Sequence, residues 1–157
     1  MGQLALSKRD ARFHQGRFFP KHIEKFAGKE PFAYYRSGLE LKYFRVLDEN
    51  PNVVKWGSEE AVVPYYFNNG WHKYFIDLFV MFRVGNEVKK YFIELKPANQ
   101  TKEPKWSARR KKENYLYECK EWAKNQAKWK AATSFAEQNG WKFIVLSEKD
   151  LKQYGIT

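Results

Sequence analysis

The segment from Tyr91 to Pro97 is the feature that most constrains the fold of this chain. Its side chains alternate as in a strand, and both faces are apolar at its start, which is typical of a strand covered on both sides of a sheet. Glu94 and Lys96 then lie on the same face, two residues apart. Burying such charges costs free energy unless they are paired or bind a metal ion. The segment therefore predicts a strand that ends in a polar site.

The composition indicates one domain with an anionic partner. Of its 157 residues, 43% are hydrophobic and 18% aromatic, which is enough to fill a core. Lysine and arginine number 29 against 18 aspartates and glutamates, a net charge of +11. Such an excess favours nucleic acid as the partner, followed by an acidic protein or a membrane surface. The alternative is a basic surface without a partner.

Cysteine and histidine usage excludes the common zinc sites. Cys119 is the only cysteine, so neither an intrachain disulfide nor a cysteine-based zinc site is expected, which suits a reducing cytoplasm. His14, His22 and His72 have no mutual spacing that indicates zinc binding. We also expect no signal peptide and no membrane span, because no apolar segment is long enough for either.

The first 35 residues predict a basic N-terminal arm with one short helix. Seven lysines and arginines alternate there with phenylalanines. The aromatic side chains would either stack on nucleic-acid bases or fix the arm to the core, and the second alternative is favoured. Residues 36–157 predict a single domain without an internal linker.

A helix is predicted from Ser37 to about Asp48, and its first turn gives Glu40 two alternative roles. Ser37 and Glu40 match the capping box, in which each side chain accepts a hydrogen bond from the other residue's backbone N–H. From the residues alone, this structural role is the better explanation. The alternative is that Glu40 adds an acid to the polar site at the sheet.

Asp77 is the lone acid of the longest predicted strand, Lys73 to Arg83. Gly85-Asn86 predicts a hairpin turn after it, so the next strand, Val88 to Lys96, returns antiparallel beside it. Asp77 and Glu94 are therefore expected on neighbouring strands, at the same end of the sheet.

Two carboxylates and a lysine at one end of a sheet suit the hydrolysis of a phosphodiester. Asp77 and Glu94 offer the hard oxygen ligands that Mg²⁺ prefers, and Mn²⁺ would substitute for it. Such an ion polarises a phosphate and lowers the pKa of water. Lys96 would stabilise negative charge or help to orient and deprotonate a water molecule. The net positive charge would hold a polyanionic substrate.

The connection from Pro97 to Lys112 follows this site directly and is strongly basic. It is either a solvated segment or a loop that binds phosphates and becomes ordered on binding. Its candidate DNA-binding residues are Lys102, Lys105, Arg109, Arg110, Lys111 and Lys112.

A long helix from Glu113 to Asn139 and a strand from Trp141 to Leu146 complete the predicted domain. Large apolar residues recur every seven positions along the helix, which predicts a face packed on the core. Lys128 on this helix is a further candidate for contact with a DNA phosphate.

Asp77, followed after a hairpin by Glu94-Leu95-Lys96, resembles the PD-(D/E)xK signature of restriction-like nucleases, with Ile76 in place of the proline. The surrounding segments are more specific and resemble the TnsA-type endonucleases. They are Tyr35-Arg36-Ser37 with Glu40, Trp56 with Glu59-Glu60, Pro64-Tyr65, Tyr74 with Asp77, Ile93 to Pro97, Asn125 to Trp129, Gly140 to Phe143, and Leu146-Ser147-Glu148. Together these segments resemble the head completion nucleases of T-even-like tailed phages.

The resemblance implies a restriction-endonuclease-like α/β fold, with a mixed central sheet flanked by helices. It implies a Mg²⁺-dependent DNA endonuclease that acts in phage head completion after DNA packaging. Asp77 and Glu94 would be metal ligands and Lys96 the catalytic lysine. Glu40 would be an additional catalytic and metal-binding acid, a role that then outweighs capping. The implied partners are DNA and phage head or portal proteins, in the host cytoplasm during assembly or in the virion head.

Two other functions are compatible with the sequence. A non-catalytic head or connector protein would bind DNA ends, but clustered carboxylates repel DNA and therefore favour an enzyme. A transposition or repair nuclease of the same fold is the other alternative, and the residues themselves do not separate it from a phage nuclease.

Overall fold

Two α-helices and eight strands form residues 15–154, the part of the chain that the computed structural model describes. In chain order they are β1 (Gly16–Phe18), β2 (Ala33–Tyr35), α1 (Gly38–Glu49), β3 (Val53–Ser58), β4 (Val62–Phe67), β5 (Gly70–Phe75), β6 (Leu78–Val84), β7 (Glu87–Leu95), α2 (Lys112–Gln138) and β8 (Lys142–Leu146). Short 3₁₀ helices span Ile23–Lys25, Ala98–Gln100 and Glu148–Tyr154. The first 14 residues of the predicted arm and the last three residues of the chain lie outside the described part. Within residues 15–154, no helix is long and apolar enough to cross a membrane.

The central sheet has four strands in the order β3-β6-β7-β8. β6 is antiparallel to both β3 and β7, whereas β7 and β8 are parallel. A parallel pair needs a long crossover connection, which α2 supplies. Gly85, whose φ is 60°, and Asn86 form the turn between β6 and β7, so the predicted hairpin is confirmed. The result is the mixed α/β architecture that the sequence predicts.

β4 and β5 form a separate two-stranded sheet. Asn68 and Asn69 form the turn between them, and both have positive φ, as a type I′ hairpin turn requires. Among the described strands, β4 pairs with β5 alone. Pro64 therefore lies in an edge strand, where its missing N–H removes no hydrogen bond from the ladder.

The predicted strand from Lys73 to Arg83 is wrong as a single element, because Ile76 and Asp77 separate β5 from β6. Both residues bond to the short connection between β3 and β4. The Ile76 N–H donates to the Ala61 carbonyl at 3.0 Å, and the Asp77 carbonyl accepts from the Glu59 N–H at 3.0 Å. The interruption lets the two strands belong to different sheets and places Asp77 where these sheets meet.

The core has two parts, with α1 packed in one and α2 packed in the other. In α2, Ala132 and Ala136 are fully buried, whereas Leu116 and Tyr117 are exposed. The predicted core-facing helix is therefore correct for its second half only. The first half instead runs beside the basic connection.

Residues 15–35 pack on the part of the core that contains α1. The rings of Phe18 and Phe26 lie 6.2 and 4.8 Å from that of Trp56, which is fully buried. The buried carboxylate of Asp48 accepts hydrogen bonds from two backbone N–H groups of this segment, each at 2.9 Å. These contacts fix the described part of the predicted arm to the core. The boundary between arm and domain stays a prediction.

Candidate active site

The start of β6 and the end of β7 bring Asp77 and Glu94 together. Leu78 pairs with Ile93 in the antiparallel ladder. Asp77 directly precedes Leu78 and Glu94 directly follows Ile93, so the two acids are opposite each other. The backbone N–H of Leu95 donates to Asp77 Oδ2 at 2.8 Å and orients this carboxylate. The structure thus places both acids at one end of the central sheet.

Glu94 is buried, with 5% of its surface exposed. The hydroxyl of Tyr74 donates to Glu94 Oε2, and Lys96 Nζ lies 3.7 Å from Oε1. The side chain of Lys96 is 24% exposed, so the ammonium reaches the surface of the site. The hydrogen bond and the nearby cation offset part of the cost of burying the carboxylate.

Asp77 is the most electrostatically perturbed acid of the site. Burial raises the pKa of its carboxyl group well above the ordinary value, and the neighbouring charge of Glu94 raises this pKa further. The Leu95 N–H and the Lys96 ammonium act in the opposite direction, whereas Glu40 adds to the increase. A cation bound between the two carboxylates would relieve their repulsion.

Glu40 lies in the first turn of α1, which Ser37 caps: the Ser37 Oγ accepts from the Glu40 N–H at 3.1 Å. The Glu40 carboxylate accepts a hydrogen bond from the Ser37 hydroxyl at 3.4 Å and from the backbone N–H of Arg36. Burial raises the pKa of Glu40, and the nearby Glu59 carboxylate, which pairs with Arg36 at 2.7 Å, also raises it. The position is compatible with both roles considered for Glu40.

The oxygens at the strand ends fit a divalent metal ion held by two carboxylates. Oδ2 of Asp77 and Oε2 of Glu94 accept the hydrogen bonds described above, whereas Oδ1 and Oε1 accept neither of them and could bind an ion. Mg²⁺ is usually bound by one or two carboxylates, with water and phosphate oxygens as its other ligands. In residues 15–154, no group of three or more acidic, histidine or cysteine side chains is arranged to hold a metal ion. Glu40 as a third ligand therefore stays a prediction.

Lys128 of α2 lies near Glu94. Its Nζ lies 5.4 Å from the ring centroid of Tyr74 and 5.9 Å from that of Tyr65. Burial lowers the pKa of Lys128, the Glu94 charge raises it, and the neighbouring cations Lys124 and Lys96 lower it again. Lys128 is therefore close to Glu94, and it stays a candidate for a phosphate contact.

A cleft of about 900 Å³ opens beside Lys96, between the basic connection and the first half of α2. Five of the candidate DNA-binding residues line it: Lys102, Lys105, Arg109, Arg110 and Lys111. Lys112, the first residue of α2, is not among its lining residues. Arg110 is held by Glu118, with 2.5 Å between Nη2 and Oε2. Lys96 is the one site residue among the lining residues of this cleft, so the basic connection and the acidic site meet at Lys96.

Two polar residues of this region were not identified as site residues from the sequence. Asn125 is 8% exposed and lines the cleft with Lys96. Its spacing from Trp122 and Trp129, three and four residues, indicates that it shares their helix face, and this signal could have identified it. The contact between Tyr74 and Glu94 has no such signal, because it depends on how the two sheets meet.

Comparisons with known proteins identify the family of this chain. The family model described as TnsA-like endonuclease N terminal matches residues 50–148, more than half of the chain and a segment that contains Asp77, Glu94 and Lys96. The head completion nuclease of Enterobacteria phage T4 is 39% identical over 148 residues, which are 91% of this chain and 97% of that relative. The chain therefore belongs to the TnsA-like endonuclease family and is homologous along nearly its whole length to the phage T4 head completion nuclease.

Proposed function

We propose that this protein is a Mg²⁺-dependent DNA endonuclease that acts in phage head completion. Family membership supports nuclease activity. The observation that carries the metal-dependent mechanism is the pair of Asp77 and Glu94 at the ends of adjacent strands, with Lys96 beside them at the edge of a basic cleft.

The chemistry divides among the residues of the site. Asp77 Oδ1 and Glu94 Oε1 would hold the metal ion, for which Mn²⁺ would substitute. When bound, such an ion polarises the scissile phosphate and lowers the pKa of water. Lys96 stabilises the negative charge that develops on the phosphate oxygens and orients the attacking water. Glu40 adds a further acid at the same site.

The proposed setting follows from the homology to a head completion protein. The protein would work in the cytoplasm of the infected host cell, in contact with phage head or portal proteins. If it stays bound to them, the finished virion head contains it. The same proposal includes the division of the chain into an N-terminal arm of 35 residues and a nuclease domain of residues 36–157.

A nicking assay on supercoiled plasmid DNA tests the activity and its metal requirement. With Mg²⁺ the purified protein is expected to produce nicked circles, and excess EDTA is expected to abolish the reaction. Restoring Mg²⁺ should restore it. DNA binding without nicking in Mg²⁺ or Mn²⁺ would instead favour the non-catalytic connector protein. Nicking that persists in EDTA would contradict metal dependence.

The basic cleft is expected to contribute to DNA affinity through phosphate contacts. In the double variant Lys105→Ala/Arg109→Ala, the slope of log K against log salt concentration should decrease in magnitude by about 2, since each phosphate contact accounts for about 0.9. The measurement is a salt titration of binding to a short duplex by fluorescence anisotropy, in EDTA so that the DNA stays intact.

Arg83→Ala/Lys89→Ala is the matched control for this experiment. It removes the same two residue types, both exposed, from the turn end of the β6–β7 hairpin, at the opposite end of the sheet from Asp77. Its salt slope should equal that of the wild type. Equal slopes for both double variants and the wild type would show that DNA does not lie in the cleft.

A further inference from the structure

Tyr74 contributes a hydroxyl to the site that the proposed chemistry does not use. The residue is 3% exposed, and its hydroxyl donates to Glu94 Oε2. A tyrosine hydroxyl is protonated at neutral pH, because its ordinary pKa is about 10, so it is a hydrogen-bond donor to this carboxylate.

This hydrogen bond limits what Glu94 can offer to a metal ion. The Tyr74 hydroxyl occupies one lone pair of Oε2 and holds the carboxylate in one orientation, which disfavours coordination of an ion by both oxygens. Oε1 faces Lys96 at 3.7 Å, which is too long for a hydrogen bond. Asp77 is limited in the same way, because the Leu95 N–H occupies its Oδ2. Each acid thus has one oxygen that is held by a hydrogen bond and one oxygen that accepts neither of these bonds.

We propose that Tyr74 is a positioning residue that restricts Glu94 to one-oxygen coordination and thereby makes the site select Mg²⁺ over Ca²⁺. Ca²⁺ takes six to eight oxygens and readily uses carboxylates with both oxygens, whereas Mg²⁺ requires six ligands in a near-ideal octahedron. Two single oxygens, completed by water and phosphate, match the smaller ion. This inference rests on the proposed metal-dependent function.

The surroundings of Tyr74 keep its ring in place. Tyr74 belongs to the buried cluster that joins the β4–β5 sheet to α2, together with Val63 and Ile76. Lys128 Nζ lies over its ring at 5.4 Å. The small second sheet thus has a functional consequence: it delivers one rigid donor to an acid of the central sheet. Contacts of this kind to a metal ligand typically change metal affinity 10- to about 100-fold when they are removed.

Tyr74→Phe and Tyr65→Phe form a matched pair for the test. Both tyrosines are 3% exposed, lie in the same cluster and have Lys128 over their rings. Only Tyr74 bonds to Glu94. Each substitution removes one hydroxyl and keeps the ring, so the two variants differ in the contact of interest rather than in packing.

The readout is the affinity of the DNA-free protein for Mg²⁺ and for Ca²⁺, measured by the rise in melting temperature during a titration with each ion. The ratio of the two affinities in Tyr74→Phe is expected to shift about tenfold towards Ca²⁺ relative to the wild type. In Tyr65→Phe the ratio should equal that of the wild type. Nicking by Tyr74→Phe in Mg²⁺ should likewise become more sensitive to inhibition by added Ca²⁺.

The other outcomes separate this inference from the proposed function. If the wild type binds Mg²⁺ and Tyr74→Phe keeps the wild-type ratio, the inference about Tyr74 is wrong while the metal site stands. If both variants shift the ratio equally, packing is the cause and the inference is again wrong. If the wild type binds neither ion and nicks DNA in EDTA, both the metal site and the inference are overturned.

Discussion

Replacing Lys96 with alanine is expected to lower the rate of DNA nicking about 10²- to 10³-fold, the usual effect of removing one group that stabilises charge in a transition state. Lys96 Nζ is the cation beside the buried carboxylate of Glu94, and it reaches the surface where the basic cleft opens. Because we expect the other cations of the cleft to make most of the phosphate contacts, the affinity for duplex DNA should change far less than the rate. Single-turnover nicking with saturating protein separates the two quantities.

Lys89→Ala is the control for Lys96→Ala, and Glu40→Gln tests the role of the additional acid. Lys89→Ala removes a lysine from the exposed end of β7, the strand that Lys96 directly follows, and should nick DNA at the wild-type rate. Glu40→Gln keeps a side chain that can cap the helix but removes its charge. A lower rate at unchanged melting temperature would assign Glu40 to the site, whereas an unchanged rate would leave it as a helix cap. Wild-type nicking by Lys96→Ala would show that the catalytic assignment is wrong.

The central hairpin could be predicted from sequence because its signals are local. Alternating side chains, the Gly85-Asn86 turn and the returning strand determine which strands pair and in which register. Asp77 and Glu94 follow from that register, so their proximity was predictable. The helix start at Ser37 is equally local, since its hydroxyl bonds to the backbone three residues away.

The interruption at Ile76 and Asp77 could not be read from the sequence. Residues 73–83 form a nearly continuous run of aromatic and aliphatic residues, as expected for one strand, and no glycine or proline marks a break. The break arises because Ile76 and Asp77 bond to the β3–β4 connection, a contact that exists only in the folded protein. The Tyr74–Glu94 hydrogen bond depends on the same junction between two sheets, and for that reason it also escaped prediction.

For the first half of α2, the sequence predicts more burial than the structure shows. Its apolar residues continue the periodicity of the second half, so the pattern predicts burial along the whole helix. In the structure this half extends beside the basic connection, where Trp106 packs edge-on against Tyr115 with their ring centroids 5.3 Å apart. Periodicity identifies the apolar face of a helix but not what covers that face. In the first half of α2, side chains line the cleft instead of packing in the core.

Replacing Asp77 with asparagine is expected to stabilise the metal-free protein near neutral pH and to abolish its stabilisation by Mg²⁺. Asparagine can still accept the Leu95 N–H bond that Asp77 Oδ2 accepts, but it removes a carboxylate that burial and Glu94 make unfavourable. Nicking should fall on the order of 10³-fold, because the ion contributes several kcal/mol to stabilising the transition state.

The pH dependence follows from the raised pKa of Asp77 in the folded state. In the unfolded chain the pKa of the Asp77 carboxyl group is about 3.9. As pH rises above this value, the unfolded chain loses the carboxyl proton before the folded protein does, so the free energy of unfolding of the metal-free protein decreases. The loss is complete once pH exceeds the folded pKa. In EDTA at neutral pH, the melting temperature of Asp77→Asn should therefore be higher than that of the wild type. The difference between the two melting temperatures should decrease as pH falls to about 4.

Thermal melts in EDTA and in Mg²⁺, at both pH values, measure these effects. Glu87→Gln is the control: it neutralises an exposed acid at the turn end of the same hairpin and should match the wild type in every condition. With Mg²⁺ at neutral pH, the wild type should rise towards or above the melting temperature of Asp77→Asn, because the ion relieves the repulsion between the two carboxylates. An equal rise in both proteins would place the ion elsewhere. A lower melting temperature for Asp77→Asn in EDTA would mean that the carboxylate stabilises the fold, contrary to its raised pKa.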